Sequence, residues 1–181
     1  MKIGTGIGAG IIADDLLLRG YAGAAGDLGH TRASNLYGAE LEVCRCGNLG
    51  CVEAYAGGWG IARDLARAGR PVADAHDVVR LVREGDYEAV RLVRRAGRIL
   101  GDAIASLVSV LNPHYVVLTD TLARCDELIL AGVREHVHAQ VAPLATRDLQ
   151  LLTETREPSI GLSGLAFLVA QHVLIQPSVP R

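Results

Sequence analysis

Three of the chain's four cysteines fall within eight positions, in CRCGNLGC from Cys44 to Cys51. Sulfurs this close must be packed apart, oxidised, or bound to something, and each outcome dictates a different fold around them. Gly47 and Gly50 allow turns tight enough for the sulfurs to converge, and Asn48 between them suits a left-handed position. A redox pair would want C-x-x-C, which is absent. Disulfides belong to oxidising compartments, and Met1-Lys2-Ile3 runs straight into glycines rather than into the apolar stretch of a secretion signal. Three packed thiols are the plain alternative, and metal binding fits the pattern better. Three thiolates and one imidazole complete a tetrahedral Zn²⁺ site. Of six histidines only His30, in GDLGH, lies upstream in the same loop-rich region. His76, His114, His136, His138 and His172 sit in or beside expected helices and strands, and read as surface or structurally satisfied groups. Cys125, alone on an expected helix, reads as a packed small residue. Four protein donors leave no place for water, so the Zn²⁺ would order a loop rather than catalyse, linking metal binding to folding.

The rest of the chain bounds where such a loop can sit. At 181 residues a single domain spanning 1–181 is expected, long enough for a real core. Half the residues are apolar, 21% are charged, and mean hydropathy is +0.25. That excess implies either an alanine- and valine-rich core or a covered partner surface. A net charge of −2, without any Lys/Arg run, gives no footprint for nucleic acid. Apolar stretches are interrupted by Arg, Asp or Gly, so no membrane span is expected and a cytoplasmic setting follows.

The opening KIGTGIGAGIIADDLLLRG predicts a strand, a glycine-rich bend, a second strand, a turn at Asp14-Asp15 and a short third strand. Residues 20–50 show no sustained period and read as ordered loop. Helical spacing predicts helices over 53–68 and over 74–83, the second with Asp74 as N-cap. The clearest helix starts at Asp86, with Val90, Val93, Gly97, Leu100, Ile104, Leu107 and Leu111 on one stripe, and stops at Asn112-Pro113. HYVVLT predicts a buried parallel strand. A helix over 121–140, the strand LQLLTE and an apolar helix over 160–175 complete the chain, with a frayed tail. The order βββ-α-β-α-β-α specifies an α/β fold, a mixed sheet with helices packed on it. It is the skeleton of the ribonuclease-H-like fold of sugar kinases and actin-like ATPases.

GTGIGAG, Gly4 to Gly10, lacks the following helix that a dinucleotide fingerprint needs. Its glycines either permit a sharp, closely packed bend or bring bare backbone N–H groups to a phosphate. Asp27 and Glu53 flank the cysteine loop, where two carboxylates could accept hydrogen bonds from sugar hydroxyls. A solvated Asp27 and a Glu53 serving the first turn of its helix are the simpler alternatives.

Together, GTGIGAGII, GAAGDLGH, CRCGNLGCVEAYAGG and LNPHYVVL resemble, in order and over nearly the whole chain, the ROK family, named for repressors, open reading frames and kinases. The resemblance implies zinc ligation by His30, Cys44, Cys46 and Cys51, and sugar contacts at Glu53 and His30. Asp27 stands where the family usually has glutamate. It also implies that Gly4, Thr5, Gly6 and Gly8 form a second phosphate loop. The family's amino-terminal domain, with a first phosphate loop and an Asn-Asp catalytic aspartate, is not expected within these residues, nor is a winged-helix DNA reader. After the strand VVL the kinases' glycine pair is replaced by Thr119-Asp120, adding a side chain and a negative charge that disfavour ATP.

The expected function is therefore a sugar-sensing, dimerising domain of a ROK transcriptional repressor. It would carry structural Zn²⁺, bind a small sugar or sugar phosphate, pair as a homodimer through helical surface such as 86–111, and reach DNA only through another domain. The alternative is the second lobe of an ATP-dependent ROK sugar kinase.

Overall fold

The computed structural model describes residues 1–155 and 159–174. Four short strands open the chain: β1 (Lys2–Ile3), β2 (Ile7–Gly8), β3 (Ile12–Ala13) and β4 (Leu16–Leu17). A loop-rich segment with one 3-10 turn, Leu28–His30, leads to α1 (Glu53–Ala56), α2 (Gly58–Arg67), α3 (Ala75–Arg83) and α4 (Tyr87–Leu111). Then come β5 (Tyr115–Thr119), a 3-10 turn over Thr121–Cys125, α5 (Asp126–Gln140), α6 (Pro143–Thr146), β6 (Gln150–Glu154) and α7 (Ser159–Leu174). Position 175 and the tail beyond it, expected to fray, lie outside the described residues.

The main sheet has the order β2-β1-β5-β6. β1 runs antiparallel to β2 and parallel to β5, and β5 pairs in parallel with β6 from Tyr115↔Gln150 to Thr119↔Glu154. The mixed sheet is as the element order predicts, with one difference. The expected third strand does not join it: β3 and β4 form their own two-stranded hairpin. Past Gly8 the backbone finds other partners, since Ala9 N–H donates to Gly26 O at 2.8 Å and Leu18 N–H to Ile11 O at 2.8 Å. Asp14 and Asp15 turn the hairpin with φ of 51° and 61°, the left-handed pair of a tight two-residue connection.

α4, 25 residues long, is the spine. Asp86 caps it by accepting from Ala89 N–H at 3.0 Å, and Asn112 ends it in the left-handed region ahead of Pro113. Leu92, Val93, Ile99, Leu100, Ile104 and Val108 are buried along its inner face, and burial of each such side chain contributes about 1.5–3 kcal/mol. Against it lies α5, close enough that only glycine fits at the crossing. A Cβ on Gly132 would sit 2.6 Å from the Gly97 carbonyl carbon, and one on Gly97 would sit 2.9 Å from Ile129 O. The apolar stripe of α4 is thus largely buried inside the chain, leaving Tyr87, Val110 and Leu111 exposed towards its two ends.

Two helices expected to be continuous are broken. Gly57 takes extended backbone between α1 and α2, and a Cβ there would meet Glu53 O at 2.7 Å. The helix expected from residue 121 begins as a 3-10 turn and becomes α-helical at Asp126. Exposed apolar residues gather on the β3–β4 hairpin, at Ile12, Leu16 and Leu18, and on α7. The two are linked where Gln171 Nε2 donates to Asp15 O at 3.2 Å. Among the described residues no helix is long and apolar enough to cross a membrane.

Candidate metal centre and ligand site

The cysteine loop has almost no regular structure and is built from isolated contacts. Arg32 bridges Cys51 and Val43 bridges Leu49, both antiparallel. Cys44 N–H donates to Asn48 O at 2.7 Å and Gly47 N–H to Cys44 O at 2.9 Å. The left-handed positions are Gly47 (φ 93°) and Gly50 (φ 75°), so the turns fall on the two glycines and not on Asn48. His30 ends the short 3-10 turn, whose Gly29 packs directly on Ile7 O where a Cβ would collide. That contact seats the turn carrying His30 against β2.

The four predicted donors converge. His30 Nδ1 lies 3.6 Å from Cys44 Sγ, Cys46 Sγ lies 3.7 Å from Cys51 Sγ, and all four ligand atoms fall within 4.8 Å of one another. Tetrahedral zinc, with bonds of about 2.3 Å to sulfur and 2.0–2.1 Å to nitrogen, separates its donors by roughly 3.5–3.8 Å. The donor set and its spacing therefore fit a metal ion. The Asn48 backbone N–H holds the Cys46 thiol below its ordinary range, while burial pushes Cys51 up to about 12. A metal would have to displace the Cys51 proton.

Polar contacts clasp this loop to α1 and α2. Tyr55 hydroxyl donates to Glu40 O at 2.9 Å and accepts from Glu42 N–H at 2.8 Å. Glu42 pairs with Arg67 and, at 3.4 Å, with Arg63. On the far side Tyr37, with φ 50°, places its hydroxyl 3.2 Å from Asp102 Oδ2 and 3.0 Å from His136 Nε2. His136 Nδ1 lies 2.8 Å from Asp102 Oδ1, which also accepts from Gln140 Nε2 at 2.6 Å. Burial and the Asp102 carboxylate push the Tyr37 hydroxyl up to about 12. His76, His114 and His138 are exposed, as expected, and Cys125 is buried. The side chain of His172 lies outside the described residues.

The glycine strand is a closely packed bend whose neighbours are carboxylates. A Cβ on Gly6 would sit 2.6 Å from Glu53 Oε2, and one on Gly4 would collide with the Asp120 carboxylate, whereas Gly8 faces open space. Glu53, 9% exposed, accepts from Ile7 N–H at 2.8 Å and from Trp59 Nε1–H at 3.0 Å. Asp120 stands at φ 80°, ψ −174°, a region almost restricted to glycine. Thr121 N–H and hydroxyl donate to its Oδ1, and Lys2 Nζ lies 3.2 Å from Oδ2. Burial raises its pKa, but these donors outweigh burial and hold the carboxyl below its ordinary value. Asp27 lines an open groove of about 680 Å³ with Lys2, Gly8, Gly10 and Thr119.

The structure thus gathers His30 with the three cysteines, sets Glu53 beneath the glycine bend, and leaves Asp27 at the groove. Sequence reasoning missed Trp59, Tyr37 and the His136–Asp102 pair. Trp59 follows Glu53 by about one and a half turns and could have been sought as its partner. Nothing local marks Tyr37, whose partners lie 65 and 99 positions away.

A mixed sheet crossed by packed helices, with a glycine bend on its first two strands, defines the fold of actin-like ATPases and sugar kinases. The ROK family model matches residues 1–172, and the chain belongs to that family. It is 30% identical over 187 residues to a glucokinase of Halalkalibacterium halodurans, covering 95% of this chain and 56% of that protein. It is 27% identical over 173 residues to a xylose repressor of Bacillus spizizenii, covering 96% and 44%. A ROK hexokinase structure from Thermus thermophilus superposes with a TM-score of 0.73 at 33% identity, covering 92% of this chain and 55% of that one. The chain spans about half the length of the curated relatives it matches.

Proposed function

We propose that these residues form the sugar-sensing lobe of a ROK transcriptional regulator, ordered by one structural Zn²⁺ on His30, Cys44, Cys46 and Cys51, and that they transfer no phosphate themselves. Asp120 carries this reading. Its carboxylate rests against Gly4 of the bend in a backbone conformation that glycine would hold without strain. A fixed negative charge there repels a nucleotide's phosphates. Phosphoryl transfer also needs a base at the acceptor hydroxyl and clamps on the phosphates, and half a cleft positions neither. Asp27 meets a sugar or sugar phosphate at the groove. His30, with Nδ1 toward the sulfurs, keeps Nε2 for a hydroxyl, and Glu53 retains a second lone pair on each oxygen. Two copies pair through the exposed apolar surface of α7 and the β3–β4 hairpin, and DNA contact belongs to sequence outside these residues.

A second reading, one lobe of an ATP-dependent sugar kinase, is favoured by the open backbone at Gly8 and the retained GTGIGAG bend. Coupled ADP release with glucose, N-acetylglucosamine, N-acetylmannosamine and xylose decides between the two. No turnover above background is expected. Turnover that disappears in Glu53→Ala would establish the kinase reading instead. Light scattering at tens of micromolar should give the mass of two chains, and elemental analysis one zinc per chain.

A further inference from the structure

Arg45 stands between two of the proposed ligands, Cys44 and Cys46, and its guanidinium carbon lies 4.8 Å from the centre of the Trp59 ring. Arg63 covers the same ring at 5.5 Å. Trp59 therefore carries two cations on its π system while its edge donates Nε1–H to Glu53 Oε1 at 3.0 Å. The other Glu53 oxygen accepts from Ile7 N–H at 2.8 Å, and approaches Gly6 where any larger residue would place a Cβ. Three contacts in series, Arg45 to Trp59, Trp59 to Glu53 and Glu53 to Ile7, thus join the cysteine loop to the glycine bend. We propose that Trp59 is a positioning residue that transmits the state of the metal loop to the Glu53 carboxylate, and through it to the bend.

The inference rests on the metal reading above. Arg45 is exposed, and its backbone is carried by the two cysteines beside it. With those sulfurs bound, its guanidinium is held over the ring. With them released, the ring loses one of its two cations and its N–H is free to leave Glu53. A buried carboxylate short of one donor then follows whatever donor remains or turns toward water, and Ile7 N–H opens with it. Glu53 is then held by the loop in two ways, along the chain from Cys51 two residues before it and across space through Trp59.

Amide hydrogen exchange at Ile7 tests this directly, with Trp59, the only tryptophan, as an optical reporter. The full chain is measured zinc-loaded and after chelation, as wild type, Trp59→Phe and Arg45→Gln. Chelation of the wild type should speed Ile7 exchange by about tenfold or more, the loss of one hydrogen bond to a charged group, and shift Trp59 emission. Trp59→Phe keeps the aromatic face but has no N–H, so it should exchange fast at Ile7 while retaining one zinc, and chelation should then add nothing there. Arg45→Gln should shift the emission with zinc still bound. The Leu100 amide in α4 should stay protected throughout, which separates release of Glu53 from unfolding. Slow Ile7 exchange in zinc-loaded Trp59→Phe would overturn the coupling, as would an equal response to chelation in wild type and variant. Wild type that takes up no zinc would instead overturn the metal reading beneath it.

Discussion

The α4–α5 pair and the cysteine loop lie within one chain but are held by opposite means. The helices meet across Gly97, Gly101 and Gly132, backbone against backbone, with Ile99, Leu100, Ile129 and Val133 buried around the crossing. The loop from Asp27 to Val52 buries few large apolar side chains, and relies on sulfurs, one imidazole and a set of directed polar contacts. Burial is non-directional and always present in water, so the helix pair needs no help. A loop held by a few oriented groups is stable only while each keeps its partner. On the metal reading proposed above, the same polypeptide contains one unit ordered by burial and one whose order depends on an occupant.

The largest test of that contrast is Gly132→Val. With a Cβ already 2.6 Å from the Gly97 carbonyl carbon, α4 and α5 must separate. The variant should lose about 3 kcal/mol or more in urea unfolding, with no loss of zinc stoichiometry in the fraction that stays folded. Loss of zinc in parallel would mean the two regions are one unit. Next comes Cys44→Ala, which should release the metal and raise amide exchange over residues 27–53, leaving the Leu92–Val108 amides protected. A loop that stays ordered without metal would erase the distinction.

α4 was legible because every level of its sequence agrees: Asp86 caps it, an apolar stripe runs its length, and Asn112-Pro113 ends it. The convergence of His30 with three cysteines was legible because metal chemistry admits few donor sets. The break at Gly57 was marked by the Gly57-Gly58 pair, a turn signal that the apolar period running across it outweighed. The departure of β3–β4 from the sheet escaped too. It depends on Ala9 finding Gly26, a contact that no local pattern encodes. Glu53 was read as a sugar contact, and what escaped that reading is that each of its oxygens already accepts one hydrogen bond, one of them from a tryptophan that periodicity placed only on a core face.

Two smaller effects sharpen the comparison at its edges. Asp120 has a depressed pKa, so its contribution is present above the unfolded value, about 3.9, and is lost as pH falls through the lower folded value. Asp120→Asn should therefore flatten the acid limb of a stability–pH curve below about pH 4 by roughly 1 kcal/mol, and change nothing in the helix pair. An unchanged acid limb would show that Lys2 and Thr121 do not hold the Asp120 carboxyl below its unfolded value. Smallest is Tyr37→Phe, which removes the one hydroxyl tying the loop to Asp102 and His136. About 1 kcal/mol should be lost, read as faster exchange in residues 33–43. A loss confined to α4 would place Tyr37 with the helices.

α7 has a different consequence. Leu162, Leu165, Phe167, Val169 and Val173 are all between 55% and 67% exposed, on a helix with scarcely a polar side. It is the last described element to leave the ribosome, and its apolar side chains stay exposed until another surface covers them. Until the two meet, it presents what chaperones retain and proteases recognise. If a second copy is what covers it, each new chain survives better the more copies are already present, and the cellular level of this polypeptide would rise more steeply than its rate of synthesis.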